Sequence, residues 1–388
     1  MKIIKKSVAV GLGALMVGSA LCGCTQATIF GSYPNDYSWS YKDDTTTLSI
    51  GTYIFYNYMA FYDASTRVEN GTGDFLDQKL TDDDGKEWIA RDYIENAADE
   101  DCRYHMYINK LFNDMGLELT AEEITTYKAN ADSVWSSAQT SMEAYGVSKD
   151  SFVAAYSENG VKLEKIFKAM YQEGGEKAVP VEELKSYYTE NYVNYSYFSV
   201  PLYTSTTDEE GNYTSEKMSD DEAKAIKTNL QKYTDDINGG TSYADEIKVY
   251  MEDYELESDP SYTATNILEN AGLPEDVQTA LEGMKDKEAK YIVVGEDGDS
   301  PMCYLIYRGD IQAEATNIDT DTDLQYSILA NMKNEEFQDD MMAKAKEYKC
   351  EINTEAIAKY PCDMFITEPA TEASTESEVV AEGEVTAE

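Results

Sequence analysis

The stretch from Val179 to Tyr203 contains a change of pattern that divides the chain. Between Val181 and Asn191, apolar and aromatic residues recur at helical spacing, and Pro180 stands before the first turn, where its missing N–H costs no hydrogen bond. From Tyr195 to Tyr203, the aromatic and β-branched residues are typical of a strand. The sequence therefore predicts that a helical body ends here and that a β-containing domain begins.

Apolar residues at steps of three and four predict that the N-terminal half is mainly helical. The longest such run lies between Glu87 and Met115, and Thr120 with Glu123 forms the capping-box pattern that opens the next helix. Residues 48–63 begin with a strand pattern and continue as a helix, and residues 323–350 predict another long helix. The N-terminal half is thus expected to be a helical body.

Charge and size limit the classes of function. The 388 residues are enough for a sizeable core and predict two domains. The chain has 31 Lys and Arg against 75 Asp and Glu, a formal net charge of -44. We therefore expect no nucleic acid partner, because phosphate contacts need a basic surface. The 32 Tyr are expected to supply core and groove surface, since each has an apolar body and a polar tip.

The first 24 residues have the pattern of a bacterial lipoprotein signal. Three lysines among the first six residues precede an apolar segment, Ser7 to Leu21, that is too short for a typical spanning helix. Leu21-Cys22-Gly23-Cys24 then resembles a lipobox, in which Cys24 becomes the lipidated N-terminus. This predicts a protein anchored by lipid at the extracytoplasmic face of the bacterial membrane. An ordinary secretory signal and an uncleaved anchor are the alternatives.

The other cysteines do not form a recognised metal or redox motif. Cys102, Cys303, Cys350 and Cys362 contain no CxxC pair, so no structural zinc site or thioredoxin-like pair is expected. Cys350 and Cys362 could close a short loop by a disulfide in an oxidising compartment, and free buried thiols are the alternative.

No cofactor or metal ion is expected from the remaining motifs. Asp319, Asp321 and Asp323 have the spacing that opens an EF-hand, but Leu324 replaces the required glycine. The single histidine, His105, lies in the predicted helix 87–115 without a nucleophile motif, and is interpreted as structural.

The segments outside the predicted domains are polar. Residues 24–47 lack a clear period and are interpreted as a tether from the membrane. Residues 367–388 are rich in Glu, Thr, Ser and Ala without aromatic residues, which predicts a disordered acidic tail.

The order of segments resembles the extracytoplasmic foldases of the PrsA/SurA type. These combine a helical chaperone body with a parvulin-type peptidyl-prolyl isomerase domain. The residues that carry the resemblance are VPVEELKSYYTENYVNYSYFSVPL, then SDDEAKAIKTNLQKYTDDINGGTSYADEIKVY for a helix pair, and LPEDVQTALEGMKDKEAKYIVVGEDGDSPMCYLIYRGDI for the last helix and the closing strands.

The resemblance implies an α+β fold with an inserted domain. The expected parts are a signal peptide (1–23), a tether (24–47), a helical chaperone domain (48–192), a parvulin-like α/β domain (193–312), C-terminal helices that pack on the chaperone domain (313–366) and the tail (367–388).

The parvulin histidines are missing at the matching positions. Parvulins have one histidine in the first strand and one in the last. Here the first position falls on Tyr197 or Phe198 and the last on Tyr304, with Met284 as a further altered position of the pocket. Lys287 also stands where the family turn has glycine. The resemblance therefore implies a degenerate isomerase site with no assigned catalytic residue.

Three functions follow from these observations. The first is a membrane-anchored chaperone or foldase that binds unfolded or nascent exported polypeptides through aromatic surface. The second is a working peptidyl-prolyl isomerase, since isomerisation needs a desolvating pocket rather than covalent chemistry. The third is a lipoprotein that binds a solute or attaches to a surface. Whether the protein is an enzyme is left open.

Overall fold

The computed structural model describes residues 38–207, 211 and 213–366, which form two compact units. One contains residues 38–170 and 334–366, and the other contains residues 171–333. Helices and sheets are both present, so the α+β class is confirmed. The predicted signal segment with Cys24 and the tail 367–388 lie outside the described residues. Within the described ranges, no helix is both long and apolar enough to cross a bilayer.

The first unit begins with a small antiparallel sheet where the sequence predicts a tether. Strands β1 (Trp39–Lys42) and β2 (Thr47–Ser49) pair with each other, and β1 also pairs with β11 (Glu351–Ile352). Tyr41 is 2% exposed, and its hydroxyl donates to Asp99 at 2.7 Å. Residues 39–47 of the predicted tether are therefore folded, because β1 buries an aromatic side chain and joins two distant parts of the chain.

A second hairpin in this unit explains why a predicted helix starts late. Strands β3 (Lys79–Thr81) and β4 (Glu87–Ile89) pair antiparallel, so the helix predicted from Glu87 begins at Ala90. The helices of the unit and those that lead into or out of it are Ile50–Arg67, Ala90–Asp114, Ala121–Tyr145, Lys149–Val153, Asn159–Tyr171, Thr322–Glu347 and Thr354–Ile357, with a π-helical segment Ala154–Glu158 and a 3-10 turn Cys362–Phe365.

Local capping groups set several helix ends in the first unit. The Thr120 hydroxyl accepts from the Glu123 N–H, and the Glu123 carboxylate accepts from the Thr120 N–H, which confirms the predicted capping box. The same helix ends at Gly146, whose φ of 92° lies in the left-handed region that glycine adopts at low cost. Apolar side chains from helices Ile50–Arg67, Ala90–Asp114 and Ala121–Tyr145 then form the core, including Ile54, Ile94 and Met142.

The second unit is built on a four-stranded antiparallel sheet, in which the strands Tyr262–Asn266, Val193–Pro201, Met302–Arg308 and Ala289–Val294 lie side by side in that order. Its elements in chain order are helix Val181–Asn191, β5 (Val193–Pro201), the hairpin β6 (Tyr203–Thr207) and β7 (Tyr213–Lys217), helices Asp220–Asn238 and Tyr243–Asp253, β8 (Tyr262–Asn266), a 3-10 turn Leu268–Asn270, helix Glu275–Gly283, β9 (Ala289–Val294), β10 (Met302–Arg308), helix Ile311–Glu314 and a 3-10 turn Ala315–Asp319.

The two faces of this sheet have separate cores because side chains alternate along each strand. On one face, Phe198 and Leu305 pack with side chains of helices Asp220–Asn238 and Tyr243–Asp253. On the other face, Tyr195 and Ile306 pack with helix Glu275–Gly283, which we call the cover helix.

The helix before the sheet and the segment after it belong to the second unit. The Glu314 carboxylate accepts hydrogen bonds from Asn194 Nδ2 at 2.6 Å, Thr265 Oγ1 at 2.8 Å and the Tyr188 hydroxyl at 3.2 Å. Lys185 Nζ also lies 2.6 Å from Asp319 Oδ1. The division at residues 171 and 333 thus differs from the boundaries that the sequence predicts at 193 and 312, since polar contacts attach both flanking segments to the sheet.

Candidate functional site

Four tyrosines lie together on the sheet face that carries the cover helix. Tyr195 and Tyr197 come from β5, Tyr262 from β8 and Tyr304 from β10. The Tyr197 ring centroid lies 5.6 Å from that of Tyr262 and 5.9 Å from that of Tyr304. The Tyr195 centroid lies 6.4 Å from Tyr197 and 6.5 Å from Tyr262. We call this group the tyrosine face.

Strand register brings these rings together. Tyr197 lies directly opposite Tyr262 on β8 and opposite Ile306 on β10. Tyr304 is two residues before Ile306, which makes it the diagonal neighbour of Tyr197. Direct and diagonal neighbours on one face are within reach of aromatic side chains. The rings of three strands therefore form one continuous aromatic surface.

Tyr197 and Phe198, the two alternatives for the histidine position in the first strand, lie on opposite faces of the sheet. Tyr197 is half-buried and packs against the cover-helix core together with Tyr304. Phe198 is 1% exposed on the opposite face, where its ring centroid lies 4.3 Å from that of Tyr250. Tyr197, Tyr304 and Met284 thus share one face, whereas Phe198 lies in the core behind it.

The cover helix closes one side of the tyrosine face. Val277 and Leu281 project from this helix into the core that contains Tyr195 and Ile306. Met284 follows directly as the C-terminal cap residue and is 7% exposed, so it belongs to the packed floor rather than to the open surface. Tyr262, at 51% exposure, lies on the edge strand and is the most open of the four rings.

The tyrosine hydroxyls can act as hydrogen-bond donors to a ligand. Burial, followed by the neighbouring Tyr195, Tyr304 and Tyr262, raises the pKa of the Tyr197 hydroxyl, so the group stays protonated at neutral pH. The Tyr195 hydroxyl accepts from Asn266 Nδ2 at 3.2 Å. Among the described residues, none forms a hydrogen bond with the hydroxyls of Tyr197, Tyr262 or Tyr304.

The solved structures that resemble this chain include two foldase proteins. One is the foldase protein PrsA from Streptococcus pneumoniae, with 16% identity and a TM-score of 0.35 over 72% of this chain and 97% of that chain. The other is the foldase protein PrsA from Lactococcus lactis, with 14% identity and a TM-score of 0.33 over 84% of this chain and 99% of that chain. No protein-family model and no curated protein matches the sequence.

His105 lies in the first unit and is held as a neutral, packed side chain. It is 5% exposed in helix Ala90–Asp114, and its Nδ1 is 2.9 Å from the Tyr56 hydroxyl. Burial, with the nearby Lys162 ammonium adding to it, lowers the pKa of His105 to about 3. An imidazole with this pKa is uncharged at neutral pH, so the geometry is consistent with a structural role.

Cys350 and Cys362 are free thiols that lie near different parts of helix Ala90–Asp114. Cys362 Sγ lies 3.8 Å from Arg91 Nη1, whereas Arg103 Nη1 donates to the carbonyl of Tyr348, two residues before Cys350. At 1.5 Å per residue, Arg91 and Arg103 are about 18 Å apart along the helix. The two thiols are therefore held by separate neighbours and are not bonded in this structure.

In the part of the chain that the structure describes, no group of His, Cys, Asp or Glu could hold a metal ion.

The sequence did not single out Tyr195 and Tyr262. Strict alternation places Tyr195 on the same face as Tyr197, and this period was available in the sequence. The segment YTATN, two residues after Pro260, contains one aromatic and two β-branched residues, which is a short-strand signal. What the sequence could not supply is the pairing of that strand with β5.

Proposed function

We propose that this protein is an extracytoplasmic chaperone or foldase, attached to the membrane by lipid on Cys24, whose second unit is a parvulin-like domain with an altered proline pocket. The tyrosine face is the observation that carries this proposal. Tyr195 is 0% exposed, but Tyr197, Tyr262 and Tyr304 provide a partly open aromatic surface, and Tyr197 and Tyr304 occupy positions where the family resemblance implies catalytic histidines.

The order of elements in the second unit supports the parvulin-like interpretation. After β5, and apart from the hairpin β6–β7, the chain forms two helices, β8, the cover helix, β9 and β10. Apart from β8, this is the order that the resemblance implies: a first strand, a helix pair, a last helix and closing strands.

The chemistry of the site favours binding over catalysis. Prolyl isomerisation breaks no covalent bond, but it must stabilise a twisted amide over a barrier of about 20 kcal/mol. Aromatic rings desolvate a proline and contact it over a large area at low entropic cost. The tyrosine face supplies such rings without an imidazole. The domain therefore holds extended segments and accelerates isomerisation weakly or not at all.

A client-aggregation assay tests the proposal. The chain from residue 25 onward should suppress aggregation of a reduced, unfolded protein at near-stoichiometric ratios. Tyr197→Ser with Tyr262→Ser should weaken the suppression. Tyr62→Ser is the matched control, because Tyr62 is a 40% exposed tyrosine of the first unit. No suppression by the unmodified chain would reject the chaperone function.

An active isomerase is the second candidate, favoured by the pairing of Tyr197 with Tyr304, whose ring centroids lie 5.9 Å apart where the resemblance implies the two histidines. A protease-coupled assay with a proline peptide separates the two candidates. Acceleration that is lost in Tyr197→Ala and Tyr304→Ala would establish the isomerase, whereas the uncatalysed rate alone would leave only the binding function.

A further inference from the structure

One uninterrupted part of the second unit is acidic and contributes Tyr262 to the tyrosine face. Residues 249–284, which we call the acidic segment, include both β8 and the cover helix. This segment has nine carboxylates and no Lys or Arg. The carboxylates are Glu252, Asp253, Glu255, Glu257, Asp259, Glu269, Glu275, Asp276 and Glu282. Glu252 and Asp253 end the helix that packs on the opposite sheet face, whereas Glu255, Glu257 and Asp259 lie in the connection that leads into β8. A ligand that contacts Tyr262 therefore meets negative charge at the start of the edge strand.

These carboxylates are not neutralised by neighbouring cations. Among the described residues, none of the nine forms an ion pair with Lys or Arg. Lys248 pairs with Asp245 at 2.8 Å, and Arg308 pairs with Asp286 at 3.1 Å. The negative charge of the segment thus remains available to a ligand.

The acidic segment also carries exposed apolar side chains. Among the described residues, the most exposed large apolar side chains are Tyr62, Val249, Leu256 and Tyr262, and three of these four belong to the segment. Leu256 is 38% exposed between Glu255 and Glu257, and Tyr262 is 51% exposed. Apolar groups interleaved with carboxylates fit a partner that is both apolar and positively charged.

We propose that the tyrosine face takes a cationic, extended polypeptide segment in which Lys or Arg alternates with apolar residues or proline. This deepens the proposed function and rests on it. The aliphatic stems of Lys and Arg pack on the tyrosine rings while the charged groups interact with the ring faces and the carboxylates. Opposite charge selects cationic segments over acidic ones and speeds their encounter with the site.

Fluorescence anisotropy with labelled peptides tests this inference on the chain from residue 25 onward. Three short peptides share their proline and aromatic residues and differ only in whether the intervening positions are Lys and Arg, Gln, or Glu. At low salt we expect the cationic peptide to bind about tenfold or more tightly than the acidic one. The difference should shrink as salt is raised, because exposed charges are screened beyond about 10 Å at 0.1 M ionic strength.

Charge-neutralising variants test which carboxylates cause the preference for the cationic peptide. Glu255→Gln with Glu257→Gln and Asp259→Asn should remove most of the discrimination, and Asn at 259 keeps an acceptor for the Ser261 N–H that Asp259 binds at 2.8 Å. The matched control neutralises Glu69, Asp84 and Glu118, three exposed carboxylates of the first unit, and should preserve the discrimination.

Every outcome decides the question. Equal binding of the three peptides, without salt dependence, would overturn the cationic preference while leaving the proposed chaperone function intact. Equal loss of discrimination in both triple variants would show that net charge is responsible, which also overturns the local site. If no peptide binds and client aggregation proceeds unhindered, the proposed function fails together with this inference.

Discussion

Replacing Phe198 should damage the fold, whereas replacing its neighbour Tyr197 should damage only binding. Phe198 is 1% exposed, and its ring centroid lies 4.3 Å from that of Tyr250. Truncating a buried Phe to Ala costs about 3–5 kcal/mol, through lost transfer free energy and the cavity left behind. A typical domain has about 5–15 kcal/mol of stability, so Phe198→Ala removes a large part of it.

Tyr197→Ala should cost far less. Its ring is half-buried and faces the open side of the sheet, so we expect a loss of about 1 kcal/mol. The contrast between two adjacent residues follows from strand alternation alone, since both belong to β5. It therefore tests the register on which the tyrosine face depends.

Hydrogen exchange resolved by peptide measures both effects in the full chain. Phe198→Ala should lower the protection of peptides from β5 and β10, and Tyr197→Ala should leave it nearly unchanged. Peptides from helix Ala121–Tyr145 serve as the internal reference within the first unit. If Tyr197→Ala is the more damaging substitution, the strand is shifted by one residue and Tyr197 cannot contribute to an open face.

Three further substitutions test the described contacts. Thr120→Ala removes the capping box and should lower the free energy of unfolding of the first unit by about 1 kcal/mol in a denaturant titration; no change would contradict the cap. Glu314→Ala leaves Asn194 and Thr265 without their shared acceptor and should cost about 1–3 kcal/mol, visible as lost exchange protection in β8. His105 has a folded pKa of about 3, below the ordinary value of 6.5, so its contribution is present above pH 6.5 and is lost as pH falls towards 3. The unmodified chain should therefore lose up to about 1.4 kcal/mol per pH unit relative to His105→Gln in that window, and parallel pH profiles would refute the buried neutral imidazole.

Features that depend on neighbours in sequence were predictable. The capping box at Thr120 and Glu123 involves residues three apart, and the helix after Pro180 follows from spacing and one proline. The structure confirms both, because a cap or a helical face is fixed by local geometry. Strand β5 was also predicted within two residues of its observed ends.

Features that depend on distant partners were not predictable. Strand β1 is four residues long and gains its stability from β2 and from β11, more than 300 residues further along the chain, so its segment resembled a tether. Tyr262 joins the tyrosine face only because β8 pairs with β5. Strand pairing of this kind brings together residues that no local period connects.

The hydroxyls of the tyrosine face explain why this domain should bind peptides but accelerate prolyl isomerisation only weakly. Prolyl isomerisation moves no proton. A catalytic site therefore stabilises the twisted amide best when its hydrogen-bond donors are already held in a fixed orientation towards it. No described residue holds the hydroxyl of Tyr197 or Tyr304 in a fixed direction, and a phenolic O–H can rotate about its C–O bond. Such a group is ordered only when a ligand arrives, and the ordering cost offsets part of the stabilisation that it provides. The ring faces pay no such cost, because packing on β5 and β10 already fixes them. We therefore expect Tyr197→Phe and Tyr304→Phe to retain peptide binding, whereas Tyr197→Ser and Tyr304→Ser should lose it. Loss of binding in the phenylalanine variants would assign the recognition to the hydroxyls instead.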